Sequence, residues 1–157
     1  MLKTAKDVKD RTKKLKIAFV SIIVITFVFF ILYQNIKNNK TLFSGFTLAE
    51  AIVVDKVNEN NENNENYYAL IQVTENYGGW EKYFLTAKFV QLKSEEYYKL
   101  ISTGEKYQSL WLGIEISYAE AKNNNLLNTM GELDVDKVLD NEQYTKKYCT
   151  ILSMQHS

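Results

Sequence analysis

From Ile17 to Tyr33 the chain reads I-A-F-V-S-I-I-V-I-T-F-V-F-F-I-L-Y, without a charge and with only Ser21 and Thr26 mildly polar. Both hydroxyls can bond back to helix carbonyls, so neither interrupts a helix in an apolar solvent. At about 1.5 Å per residue these positions cover roughly 26 Å. Leu15, a snorkelling Lys16 and Ile36 extend the reach to about the hydrocarbon thickness. A buried core helix would carry a polar stripe, which this run lacks. The pattern predicts a transmembrane helix over residues 17–36, held by the lipid bilayer as its partner.

A cleaved signal peptide has the same general form, but its apolar region is shorter and is followed by a small-residue cleavage site. Here Gln34-Asn35-Ile36-Lys37 follows Tyr33, which favours an uncleaved anchor.

After a polar stalk at residues 37–46 the periodicity changes from helical to alternating. Ala49 to Val57 is rich in β-branched residues and reads as a first strand. It runs into Asn58 to Asn66, three copies of Asn-Glu-Asn, too polar to bury and read as a solvated hairpin loop. Tyr67 to Thr74 is a second strand. Asn76-Tyr77-Gly78-Gly79 offers turn residues before a third strand from Trp80 to about Leu92, with Tyr83, Leu85, Ala87 and Phe89 on its fully apolar face. Ser94-Glu95-Glu96 supplies an N-cap and an acidic first turn for one short helix ending before Gly104. Leu110, Leu112, Ile114 and Ile116 then alternate with Trp111, Gly113, Glu115 and Ser117, a fourth strand in which Gly113 signals a bulge or bend. Leu133 and Val135 alternate with Asp134 and Asp136 in a fifth strand over Glu132 to Val138. Residues 141–157 form a tail with no assigned conformation.

The order β-β-β-α-β-β predicts an OB-like five-stranded barrel over residues 47–140, behind a single N-terminal transmembrane helix.

Charge adds an orientation. Residues 1–16 carry seven basic side chains (Lys3, Lys6, Lys9, Arg11, Lys13, Lys14 and Lys16) against Asp7 and Asp10, a net +5, whereas residues 34–157 sum to −5. The positive-inside bias places the basic tail in the cytoplasm and the β-domain outside it, on a single-pass cell-membrane protein. A domain of net −5 repels phosphate, so no nucleic-acid partner is expected despite Tyr67, Tyr68, Tyr77, Trp80, Tyr83, Tyr97, Tyr98 and Trp111. Abundant Asn and Lys with no Pro fits an AT-rich bacterial genome.

Candidate chemistry is sparse, with one His and one Cys. His156 sits at an expected loose end and Cys149 reads as a buried, inert thiol rather than an interchain disulfide. Asp134, Asp136, Asp140 and Glu142 read as the solvent side of an edge strand rather than a cation site. The Asn/Glu run lacks the Asp spacing and Gly of a calcium loop. No catalytic, cofactor-binding or metal residue is expected, and the protein is read as a non-enzymatic binding or scaffolding module of the cell envelope. Its protein partner would be an envelope protein or a second copy of itself.

Two resemblances bear on this. Gly45-Phe46-Thr47-Leu48-Ala49-Glu50 resembles a type IV prepilin processing site, which implies a processed pilin-like subunit. The mechanism of that family needs about twenty apolar residues after the Gly, whereas here the apolar run stops at Asp55-Lys56, and a complete span already lies upstream. At Tyr67-Tyr68-Ala69, Gly78-Gly79-Trp80-Glu81-Lys82-Tyr83-Phe84 and Tyr97-Tyr98-Lys99-Leu100 to Gly104-Glu105-Lys106 the chain resembles a family of small, functionally uncharacterised bacterial proteins. Those have one N-terminal membrane helix and a compact OB-like β-domain. This resemblance covers about Ala51 to Ile116 and implies architecture without activity. A toxin- or bacteriocin-immunity membrane protein is the remaining alternative, distinguished by a toxin partner.

Overall fold

The computed structural model describes residues 5–61, 64–75 and 78–156. Lys3 of the basic tail, Glu62 and Asn63 of the acidic run, and Asn76 and Tyr77 of the expected turn lie outside the described residues. The chain divides into two compact units, Met1–Lys40 and Thr41–Ser157.

The first unit is one helix, α1 (Ala5–Asn38). Within it Lys13–Asn38 is long and apolar enough to cross a membrane, and at about 1.5 Å per residue it exceeds the hydrocarbon thickness. Ser21 Oγ donates to Ile17 O at 2.9 Å and Thr26 Oγ1 to Ile22 O at 2.8 Å, so the two hydroxyls of the run are satisfied within the helix.

The second unit is a five-stranded sheet with a few short helices. Its strands are β1 (Thr41–Asn61), β2 (Asn64–Val73), β3 (Lys88–Leu92), β4 (Lys106–Ser117) and β5 (Cys149–His156). Pairing runs in the order β1-β2-β3-β5-β4 and returns to β1, so the sheet closes on itself. All pairs are antiparallel except β3 with β5. The length of β1 makes closure possible: Thr41–Ile52 pairs with β4 and Ala51–Asn61 with β2, the change of partner coming where Glu50 takes φ +49 and the register slips between Val53 and Asp55. Bulges of this kind bend a strand enough to serve two neighbours.

The interior is filled by the alternating apolar sides of these strands. Leu110, Leu112, Ile114 and Ile116 of β4 are buried as their spacing predicts, together with Leu48, Val53, Ile71, Val90, Tyr107 and Ile151. The predicted helix forms as α2 (Glu95–Leu100), with Ser94 Oγ accepting from Tyr97 N at its start. Lys56 Nζ donates to Tyr98 O and Ile101 O at its end.

Four expectations are corrected. The stalk at residues 37–46 is largely strand, since β1 starts at Thr41. The Asn-Glu-Asn run is not an open loop: Asn58–Asn61 and Asn64–Asn66 stay paired, because a ladder satisfies backbone groups whatever the side chains do. The third strand is only Lys88–Leu92. Gly78 and Gly79 take φ +95 and +72, the chain turns through a 3₁₀ turn at Glu81–Tyr83, and Phe84 is fully buried while Leu85 is 43% exposed, the reverse of the expected apolar face. The fifth strand is not Glu132–Val138. Asp134 there caps α4 (Val135–Asp140) through Lys137 N, and Val138 and Leu139 bury on helical spacing. The strand that completes the sheet is β5, within residues 141–157, so the β-domain extends beyond residues 47–140 at both ends.

Between β4 and β5 lie α3 (Tyr118–Asn123), α4 and α5 (Glu142–Tyr148), capped by Ser117, Asp134 and Asn141. The buried Thr145 hydroxyl bonds back toward Val138 and Asn141 carbonyls at 3.1 and 3.0 Å, locking α5 to α4.

Candidate functional site

Each face of the closed sheet that points away from the core either finds a partner within the chain or does not. On β2 and β3, Tyr68 lies opposite Gln91 and Leu70 opposite Phe89, all on the outer side because Ala69, Ile71, Val90 and Leu92 fill the core. Helix α5 packs over this side. Lys146 Nζ stands 4.6 Å from the centre of the Tyr68 ring and 5.4 Å from that of Phe89, and pairs with Glu59 of β1 at 2.5 Å. Gln91 Nε2 donates to Lys147 O at 2.7 Å, Lys88 Nζ to Leu139 O, and Tyr83 Oη to Asp136 Oδ1 at 2.5 Å. Lys88 lies on the other side of β3, opposite Ile71 and in line with Val90, and burial there holds its ammonium below the ordinary pKa. The face is covered by the chain itself.

The outer side of β1 and β4 is arranged differently. Thr41, Phe43, Gly45 and Thr47 alternate outward on β1 and face Ser117, Glu115, Gly113 and Trp111 on β4. Two glycines therefore sit opposite each other, and the surrounding side chains lie down over them. A Cβ on Gly113 would stand 2.7 Å from both Phe43 Cε2 and Leu152 Cδ1, and one on Gly45 would stand 3.0 Å from Trp111 Nε1. The glycine pair is thus a floor that lets Phe43 and Trp111 rest against the sheet. Phe43 stays 58% exposed and Trp111 46%. Glu115 is the only charge among the eight residues of that register. Gly113 acts through this close approach, while the break in register falls beside it, between Trp111 and Leu112 on the β5 side.

Several titratable side chains are engaged in local pairs. Glu105 accepts from Tyr107 Oη and pairs with His156 Nδ1, both at 2.9 Å. The Tyr107 bond, with His156 adding to it, holds the Glu105 carboxyl below its ordinary range, and burial with that carboxylate pushes Tyr107 up to about 12. His156 is thus the last residue of a paired strand, not a loose end. Glu120 accepts from Lys147 Nζ at 2.6 Å and Tyr148 Oη at 2.7 Å, beside a polar cleft of about 320 Å³. Lys147 and then Tyr148 lower the Glu120 pKa. Cys149 is fully buried and desolvation pushes its thiol well up, so it is an inert core residue. Asp134 and Asp136 are a cap and a Tyr83 partner on a helix rather than the face of an edge strand. Among the described residues no group of three or more His, Cys, Asp or Glu is placed to hold a metal ion.

Of the aromatic residues named from the sequence, Tyr67 and Tyr68 are buried, Trp80 packs 5.6 Å from Phe46, Tyr98 packs 5.3 Å from Tyr67, and among the described ones Trp111 alone is exposed. The signal that would have singled it out is Gly45 as well as Gly113: two mid-strand glycines, each two residues from an aromatic on its own strand. The Gly45-Phe46 bond of the prepilin-like string lies inside the paired part of β1. Comparison of the chain with protein-family models, curated proteins and solved structures finds no match.

Proposed function

We propose that the protein is a single-pass membrane protein, N-terminus in the cytoplasm, that displays an OB-like barrel outside it as a binding or scaffolding module of a bacterial cell envelope rather than as an enzyme. The observation that carries this reading is the direct succession of a span-length apolar helix and a closed β-domain, joined by Asn39 and Lys40 alone. The OB-like assignment is supported by the strand order, the parallel β3–β5 pair and the helix between β3 and β4. In OB folds the face of strands 2 and 3 takes up oligonucleotides and oligosaccharides. Here α5 lies on that face, and the domain is acidic, which argues against nucleic acid and turns attention to the bare β1–β4 side. A non-enzymatic role is supported by what several reactive groups do: the Cys149 thiol is desolvated, and His156, Glu105, Tyr107, Glu120 and Tyr148 are spent on pairs within the domain.

The test is expression of the full chain with a C-terminal tag, followed by intact mass and protease digestion of sealed cells. A whole chain whose tag is digested from outside supports the reading, and a protected tag contradicts it. A mass loss matching residues 1–45 would favour a pilin-like subunit, and cleavage near Tyr33 a secreted domain.

A further inference from the structure

Phe43 and Trp111 are large, exposed and held against a glycine floor on the outer side of β1 and β4. Their exposed area is on the order of 200 Å² together, given about 150–250 Å² for a whole aromatic side chain. That is far short of the roughly 800 Å² per partner that a stable protein interface buries, so this patch alone does not hold a second copy. It is enough for a surface to which the domain is already tethered, because tethering replaces bulk concentration by a high local one.

The tether is short. The apolar run ends at Tyr33, and the helix continues five residues to Asn38, about 7.5 Å at its ordinary rise. That is about the depth of one headgroup layer, roughly 5–8 Å. Phe43 follows five residues later, so covalent reach keeps it within about 18 Å of the helix end. Trp side chains, with an apolar body and a polar N–H edge, concentrate at the membrane–water boundary, and the Phe43 ring adds apolar area beside Trp111. We propose that the Phe43–Trp111 face rests on the surface of the bilayer that holds α1, with the two rings at headgroup depth. This rests on the membrane-anchor reading above. Glu115, opposite Phe43 in the register, disfavours anionic headgroups, so the contact is interfacial and apolar and does not depend on anionic lipid.

The test uses the full chain reconstituted into phosphatidylcholine vesicles, and into the same vesicles with added phosphatidylglycerol, each carrying an acyl-chain nitroxide close to the glycerol. Trp80 and Trp111 are the two fluorophores, and Trp111→Phe isolates the contribution of Trp80 without touching the core. Expected is flotation of the protein with the vesicles, loss of most of the Trp111 emission to the nitroxide in both lipid mixtures, and little quenching in Trp111→Phe. A chain that floats while Trp111 emission is untouched overturns the proposal and leaves the anchor standing. Trp111 shielded from aqueous iodide only at high protein-to-lipid ratio, with no lipid quenching, assigns the face to a second copy instead. A chain that does not float overturns the anchor and the proposal together.

Discussion

The two outer sides of the β-domain carry similar materials and end differently. On β2 and β3, Tyr68 and Phe89 meet Lys146 and disappear under α5, and the hydrogen bonds of Lys88, Gln91 and Tyr83 pin the covering segment in place. On β1 and β4, Phe43 and Trp111 rest against Gly45 and Gly113 and stay exposed. Helix α5 supplies the cover over the first face, and α4 packs against α5. The difference shows that exposed aromatic residues are not a general feature of this surface. Where the chain supplies a cover, it is fastened at several points; where it does not, the side chains are arranged as a smooth, nearly uncharged patch.

The contrast can be broken most severely from the covered side. Leu139 of α4 is fully buried, and Leu139→Ala is expected to cost about 2–5 kcal/mol through lost burial and the cavity left behind. The measurement is urea unfolding of the full chain in detergent, followed by tryptophan fluorescence. On the bare side the glycine floor is the sensitive element. Gly113→Ala places a methyl against Phe43 and Leu152 at 2.7 Å and is expected to cost about 1–3 kcal/mol by overpacking. Gly45→Ala should cost less, since only the edge of an indole must yield. Adding Phe43→Ala to Gly113→Ala should return part of the loss; full additivity would show that the floor and the ring do not interact.

How far the contrast was legible in the sequence depends on where its signals lie. The β4 core face was plain because Leu110, Leu112, Ile114 and Ile116 alternate without a break, and α2 because Ser94 and Gly104 bracket it. The span was plain because seventeen residues lack a charge. The covering segment was not, because Leu133-Asp134-Val135-Asp136 alternates as a strand would, and the competing signal, Asp134 as cap with Val135, Val138 and Leu139 on helical spacing, lies partly downstream. Strand β5 was missed since its alternation holds only for Cys149 and Ile151 before the bulge opposite Trp111 and Leu112 shifts it. The bare face depends on Gly45 meeting Gly113, a pairing between residues far apart in sequence that no local pattern reports.

Smaller effects sharpen the picture. Lys146→Ala removes the cation from Tyr68 and Phe89 together with the Glu59 pair, and is expected to cost about 0.5–1 kcal/mol. Hydrogen exchange in α5 should rise in that variant, and unchanged exchange would mean that the other bonds alone hold the cover. The pH dependence has a defined sign. The Glu105 carboxyl is held below its ordinary 4.5 by the Tyr107 hydroxyl and by His156. Its contribution is therefore complete above that ordinary value and is lost as pH falls through the lower folded-state value. Unfolding midpoints taken from pH 6 down to acid should fall, and Glu105→Gln should flatten that fall slightly.

The most direct test of the difference between the faces is maleimide labelling of full-length chains in sealed cells, because Cys149 is buried and leaves introduced thiols as the reporters. Thr47→Cys lies beside Trp111 on the bare face, and Thr103→Cys sits in an exposed loop after α2. The account predicts that a membrane-impermeant maleimide labels Thr103→Cys quickly in cells and Thr47→Cys slowly, and that detergent brings the two rates together. Equal labelling of both positions in sealed cells would show that nothing occupies the β1–β4 face and would contradict the account.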